Sequence, residues 1–418
     1  MQLTVDSGQL PEGWEIKKLG EVYNVRDGTH DSPKYLPEGY ALITSKNLKN
    51  NGLSFKNVNY ILEVDYKKIN ERSAVHKGDI LLAMIGTIGN PIVVEVEPEF
   101  AIKNVALIKV PRNQSSYFLR YYLETEYVQS KMQREAKGTT QKFVGLGYLR
   151  DFPIILPPPS EQKRIVAILD EAFEGIDRAI ANAENNLANS RELFESYLNA
   201  IFTQKGDGWV EKKLGDLCEK VEYGSSAKSL VEGEIPVLRM GNIKNGAIDW
   251  SNLVYTIDKE EINKYLRKYN DVLFNRTNSD EHVGKTAIYK GEMPAIFAGY
   301  LIRVHRKEEL IDADFINFYL DSYTAREYGK SIMSRSVNQA NINGTKLKGY
   351  PISLPSLSTQ KKIVENLSFL RAETQRLETI YRQKIAALKE LKQSILQKAF
   401  IGELTADTPK TAKEEIAA

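Results

Sequence analysis

The chain has 418 residues, with 57 Lys and Arg against 55 Asp and Glu, a net charge of +2, and 42% hydrophobic and 27% charged residues. That is an ordinary soluble composition with material for two or three domains, and so even a balance means that a polyanion-binding surface must come from segregated charge. Cys218 is the only cysteine, which excludes a disulfide or thiolate metal cluster; no leader-like apolar run or membrane span is present, so a cytoplasmic location with no membrane contact is expected.

After a loose stretch, Met1 to Leu10, the string Gly13-Trp14-Glu15-Ile16-Lys17-Lys18-Leu19-Gly20 opens a region of short strands. Strands are expected at Tyr40 to Thr44, Gly78 to Met84, Ile92 to Val94 and Ala101 to Val110, separated by polar or glycine-bearing turns. A helix follows from Tyr117 to about Ala136, with Phe118, Tyr121 and Tyr122 on its core face, and then an acid-free loop, Ala136 to Arg150. Pro157, Pro158 and Pro159 stop this region, and Ser160 with Glu161 and Gln162 caps a helix that runs to Gln204. Leu169, Phe173, Ile176, Ile180, Ala183, Leu187, Ser190, Phe194, Tyr197 and Ile201 alternate in steps of four and three. This is an apolar seam that needs a partner helix of equal length.

The chain then repeats itself. Gly208-Trp209-Val210-Glu211-Lys212-Lys213-Leu214-Gly215 restates the opening about 195 residues on. Strands are expected at Ile235 to Arg239, Asn270 to Arg276, Ala287 to Tyr289 and Ala298 to Val304, and a helix from Phe315 to Ile332 carries Phe318 and Tyr319. A second long helix, Ser358 to about Ile401, has its own seam through Ile363, Leu367, Leu370, Leu377, Tyr381, Leu388, Leu391 and Ile395, weakened at Thr374 and Lys384. The start of this helix, Tyr350 to Val364, matches Phe152 to Val166 at nine of fifteen positions, including two prolines. The motif order is circular: what should follow Phe400-Ile401-Gly402 is the Leu10-to-Trp14 string, so the ends of the repeat are expected to meet. The divisions are 1–157, a central helix 158–206, 207–355, a C-terminal helix 356–404, and an unstructured tail 405–418.

Enzyme signatures fail. Gly284-Lys285-Thr286 resembles a phosphate-binding loop, but Ser279 stands where its first glycine belongs. Asn90-Pro91-Ile92 lacks the Pro-aromatic pair of amino-methyltransferases, and His30, His76, His282 and His305 are scattered. No cofactor or metal site is therefore expected in this chain. Recognition is better supported. Gly329 through Val364 holds no Asp or Glu and offers Arg335, Asn338, Gln339, Asn341, Asn343 and Lys346, while the matching first-half loop offers Lys137, Thr139, Thr140, Gln141 and Lys142. The turns add Thr44, Ser45, Lys46, Asn47 and Lys49 in one half, and Arg239, Asn242, Lys244, Arg276, Asn278 and Ser279 in the other. Such side chains hold phosphates or read guanine and adenine edges, and two copies with different residues suggest two different half-sites.

On these residues the chain resembles the specificity subunit of a type I restriction–modification system. The likeness rests on the doubled Gly-Trp-x-x-x-x-Leu-Gly opening, the doubled Leu-Pro-x-x-Ser-x-Gln-Lys helix start, and the closing Leu388-Lys389-Glu390-Leu391-Lys392-Gln393-Ser394-Ile395-Leu396-Gln397-Lys398-Ala399-Phe400-Ile401-Gly402-Glu403-Leu404. The resemblance implies an α+β fold: two pseudo-repeated target-recognition domains of mixed strands and helix, joined and separated by two long antiparallel coiled-coil helices. It implies double-stranded DNA as ligand, a bipartite asymmetric target, and a spacer length set by the helices. It also implies two methyltransferase subunits carrying S-adenosylmethionine, and restriction subunits using ATP and magnesium, as partners. A stand-alone two-module DNA-binding regulator, or a purely structural coiled-coil scaffold, are the rival readings.

Overall fold

The computed structural model describes residues 10–49, 52–336 and 339–406. The expected leader before Leu10 and most of the expected tail lie outside the described residues. The chain forms two compact units: one holds Ala183 and the chain before it together with the stretch from Gln383 on, and the other is Glu184–Arg382.

In the first unit, strands Asn24–Asp27, Val105–Lys109, Ile80–Ala83 and Gly89–Val93 lie side by side in that order, all antiparallel. Successive side chains alternate between faces. Val25, Ile80, Leu82, Ala106 and Ile108 join the core under helix Ser116–Glu124, while Leu81, Ala83, Val105 and Leu107 join a second core. Both faces are covered, which is why the two central strands, Ile80–Ala83 and Val105–Lys109, read as nearly unbroken apolar runs. The second unit repeats the order with Cys218–Tyr223, Leu301–Arg306, Asp271–Asn275 and Thr286–Tyr289, extended by Gly246–Ile248 and Ile243–Lys244. A smaller sheet also recurs, Asn59–Ile61, Tyr40–Ile43 and Phe100–Ile102 against Val254–Thr256, Ile235–Leu238 and Ile296–Phe297, each with one antiparallel and one parallel pair.

Several expected elements divide. The strand expected from Ala101 to Val110 is two, Phe100–Ile102 and Val105–Lys109, turned at Asn104 with φ 55°. The strand expected from Ala298 to Val304 is Leu301–Arg306, with a separate short strand, Ile296–Phe297, before it. The helix from Tyr117 is really Ser116–Glu124 and Glu126–Glu135, broken at Thr125, and its counterpart is Ala313–Asp321 and Tyr323–Ile332, broken at Ser322. At both breaks the hydroxyl turns to cap the following helix, accepting from Val128 N or Ala325 N. The expected core aromatics Phe118, Tyr121, Tyr122, Phe315, Phe318 and Tyr319 are all buried, as is Trp14, and Trp209 packs partly buried on the second core.

The two long helices are Pro159–Thr203 and Leu357–Phe400. They run antiparallel: Arg191 pairs with Glu378 at 2.9 Å, and Phe194, further along the first helix, lies 5.1 Å from Arg371, further back on the second. In the first unit Lys392 pairs with Asp177 at 2.8 Å and covers the Phe173 ring. The seam holds through Leu169, Phe173, Ile176, Ala183 and Ser190, but Tyr197 is 42% exposed and Leu198 takes its place. On the second helix Thr374 is buried in the seam, while Leu391 is turned outward and Leu396, Ala399 and Phe400 are buried.

The repeated Gln of each helix start is fully buried. The Gln162 side chain accepts from Ser115 N and donates to Pro157 O and Gln114 Oε1, and the Gln360 side chain accepts from Asp312 N and donates to Leu310 O and Pro355 O. Each helix also ends on an aromatic anchor. Phe400 packs on Phe118 and Tyr122 (both 5.2 Å between ring centres), and Phe202 packs on Phe315 and Tyr319 (5.3 and 5.5 Å). Each long helix thus closes, with its C-terminal end, the core of the half that did not lead into it. Leu10 and Leu404 pack on the same first core, and Gly402 abuts Pro11 so closely that an added Cβ would lie 2.2 Å from it. The circular order expected from the motifs is present in this unit.

Candidate nucleic-acid interface

In the first unit the acid-free loop is a closed hairpin tip. Lys137 and Phe143 exchange both backbone hydrogen bonds (2.9 and 2.8 Å), Gly86 N donates to Lys142 O, and Val144 N donates to Met84 O. This fastens the tip to the loop that follows the central strand Ile80–Ala83. Lys137, Thr139, Thr140, Gln141 and Lys142 are all exposed on it. In the second unit the equivalent stretch is not a loop but a small sheet: Ser334–Ser336 pairs with Gln339–Asn341, which pairs with Thr277–Asn278, and Ile342 N donates to Arg276 O. Asn338 lies outside the described residues. Gln339 is exposed; Asn341 donates its amide to Thr277 Oγ1 at 2.6 Å; Arg335 pairs with Asp280 at 2.7 Å, both about half exposed. Asn343 caps helix Gly344–Lys348 by accepting from Lys346 N, and Lys346 Nζ donates to Ser334 Oγ. Asn278 accepts from Ser279 N, and Ser279 is exposed.

The two turns have one construction. Thr44 N and Arg239 N donate to the side chains of Asn47 and Asn242, each at 3.0 Å. The two amides donate in turn, to Ser54 O from Asn47, and to Asp249 O and Ser251 O from Asn242. Asn47 is 4% exposed and Asn242 3%. They are therefore not available as base readers; their amides hold the turn, and the expectation is corrected for these two. Thr44 and Ser45 are half-buried, and Lys46 and Lys49 are exposed. Arg239 donates to Asn252 O, and Lys244 pairs with Asp249. The Lys244 ammonium, with the backbone and hydroxyl of Ser251, pulls the Asp249 carboxyl down to about 2. The turn and the hairpin flank one loop in each unit. Asn90 donates to Leu48 O on one side, with Gly86 held to Lys142 on the other. In the second unit Gly246 pairs with Ala287, and Asp280 holds Arg335.

Three surface side chains escaped the sequence reading. Phe143 is 41% exposed on the first hairpin, at the place of Asn341. Tyr223 and Tyr300 are 42% and 49% exposed beside Arg276, whose guanidinium lies over the Tyr223 ring. Tyr223 could have been found by aligning the repeat. It precedes Gly224 as Asp27 precedes Gly28, and a Cβ on either glycine would fall within 2.3 Å of the Phe297 or Ile102 carbonyl oxygen crossing it.

Polar chemistry elsewhere is structural. His30 bridges Asp27 and Asn104, His76 meets Lys109, and His305 meets Glu222. The Cys218 thiol is buried and pushed up to about 11 by that burial, so it is no thiolate near neutrality. Among the described residues no group of three or more His, Cys, Asp or Glu could hold a metal ion, and no helix is long and apolar enough to cross a membrane.

Comparison with known proteins agrees with this geometry. The type I restriction modification DNA specificity domain matches residues 11–187 and again 206–389. The putative type I restriction enzyme MjaX specificity subunit of Methanocaldococcus jannaschii is 31% identical over 198 residues, a stretch of about one repeat and 46% of each chain. The StySPI specificity subunit of Salmonella potsdam is 25% identical over 429 residues, covering 96% of this chain and 91% of its own. A chain solved in a study of complex assembly and conformational transition of the type I R-M system shares the fold, with a TM-score of 0.75 at 20% identity over 95% of this chain and all of that one. Matched in both halves, the chain belongs to the type I restriction modification DNA specificity family and is a specificity subunit carrying two copies of the recognition domain.

Proposed function

We propose that the two halves read the two parts of a split, asymmetric double-stranded DNA site, each through its hairpin and neighbouring turn. The observation that carries this reading is one main-chain frame used twice with different exposed side chains. Thr139, Thr140, Gln141 and Lys142 crown one frame, and Arg335 and Gln339 the other, with Asn341 half-buried beside them. Lys46, Lys49, Lys137, Lys142 and Lys346 serve as phosphate contacts, which position a reader without conferring sequence preference. The long helices fix the tolerated spacer and dock two methyltransferase subunits, whose S-adenosylmethionine chemistry requires a flipped base. Restriction subunits, with ATP and magnesium, join that core, and the assembly works on cytoplasmic DNA. Neither the scaffold nor the stand-alone regulator is favoured by any observation.

Mapping methylated bases in a genome exposed to the whole system tests the proposal. It expects a bipartite motif, and site-specific binding that this chain gains when methyltransferase subunits are added. Inserting one helical turn into both long helices is expected to shift the spacer and leave both half-sites unchanged. A single uninterrupted motif, or an unmoved spacer, would overturn the reading.

A further inference from the structure

Within the second reading frame, Arg276 is held unlike the other candidate cations. Its guanidinium lies 4.9 Å over the Tyr223 ring, and Nη1 donates to Gly299 O at 3.2 Å. Nε is shut off from water with no partner, and Nη2 has no partner among the described residues on a side chain that is half-buried. The main chain is pinned as well, since Arg276 N donates to Tyr300 O and Arg276 O accepts from Ile342 N. Tyr223 is itself fixed, its hydroxyl accepting from Gly344 N at 2.8 Å. By contrast Arg335 and Lys244 are engaged with the carboxylates of Asp280 and Asp249.

An arginine meant for phosphate gains from a mobile stem. One whose plane is set by a ring and a carbonyl presents a fixed donor edge, and its natural counterpart is the adjacent pair of acceptors, O6 and N7, on guanine in the major groove. We propose that Arg276 reads a guanine in the second half-site and that Tyr223 is its positioning residue. This rests on the bipartite reading above. In the first half the matching places hold Met84, which is buried, and Asp27, which pairs with Arg72. That half therefore lacks the device and reads by other means.

The test is the methylation pattern laid down by the complete system carrying Arg276→Gln, Tyr223→Leu or Tyr223→Phe. Arg276→Gln is expected to lose discrimination at one G·C pair of one half-site by roughly ten- to a hundredfold, with the other half-site read as before. Tyr223→Leu relaxes that same pair, and Tyr223→Phe, which keeps the ring but loses its bond from Gly344 N, relaxes it less. A uniform loss at all sequences would make Arg276 a phosphate contact and overturn the proposal; unchanged discrimination in Arg276→Gln would do the same. Relaxation in Tyr223→Phe equal to that in Tyr223→Leu would remove the stacking role. Should the wild-type system yield no bipartite motif, it is the underlying reading that fails.

Discussion

Replacing Gln360 by alanine should loosen one half of the molecule and leave the other intact. The side chain is fully buried and makes three hydrogen bonds, from Asp312 N at 2.9 Å and to Leu310 O and Pro355 O at 3.1 and 3.0 Å. Each is worth about 1 kcal/mol net, and a donor or acceptor stranded without water costs more. The lost side-chain atoms add burial and a void, so the sum is about 3–5 kcal/mol. A water entering the void would reduce this to roughly 2 kcal/mol by re-pairing some groups. Because the bonds tie the start of the second long helix to the segment that opens helix Ala313–Asp321, the loss falls on the second unit. Hydrogen exchange resolved along the full chain measures it: amides of the second core should open more readily, while those around Phe118 and Leu82 stay protected. Gln162→Ala should give the mirror pattern. A loss below about 1 kcal/mol, or equal loosening of both halves, would refute the assignment of these glutamines as the pins between helix and reading domain.

Three further outcomes are expected. Phe202→Ala removes the ring packed on Phe315 and Tyr319; it should destabilise the second unit by about 3–5 kcal/mol, read by the same exchange experiment, although Phe202 ends the helix that leaves the first half. Lys142→Ala on the first hairpin should weaken DNA binding at all sequences alike and reduce the slope of affinity against salt by about one counterion. Asp249→Asn should do the reverse, since it frees Lys244 from its carboxylate. The folded-state carboxyl lies near 2, below its ordinary value of 3.8. The ion pair is therefore complete above that ordinary value and is lost only as pH falls toward 2. Titration of Asp249 by NMR follows it directly.

Much of this was legible because period and repetition survive in sequence. The four-and-three spacing located both long helices, and the doubled motifs located the halves. The seam slipped at Tyr197 for a geometric reason: at 3.6 residues per turn a strict 3.5 repeat drifts, and Leu198 and Phe202 follow Phe194 at steps of four. Thr125 and Ser322 looked tolerable inside a helix, yet a hydroxyl that caps the next helix also ends the previous one. Asn47 and Asn242 were misread because an amide that reads a base and an amide that closes a turn are the same residue type; burial alone separates them. The second hairpin was hidden because its strands are polar on nearly every side, with Ala340 the one fully buried side chain among the described residues from Ser334 to Asn341.

That last feature bears on how one fold can serve different targets. The hairpins are fastened by main-chain bonds, Val144 N to Met84 O and Ile342 N to Arg276 O, at 3.0 and 2.9 Å. The turns are closed by an asparagine that occupies the same place in both halves, and the crossing beneath them is kept by Gly28 and Gly224. None of these depends on the exposed side chain beside it. Phe143 can stand where Asn341 does without disturbing a backbone contact. Stability therefore resides in the core and main chain; on the proposed reading preference belongs to a separable layer of side chains, so changes there should alter which sequence is read far more than whether the chain folds.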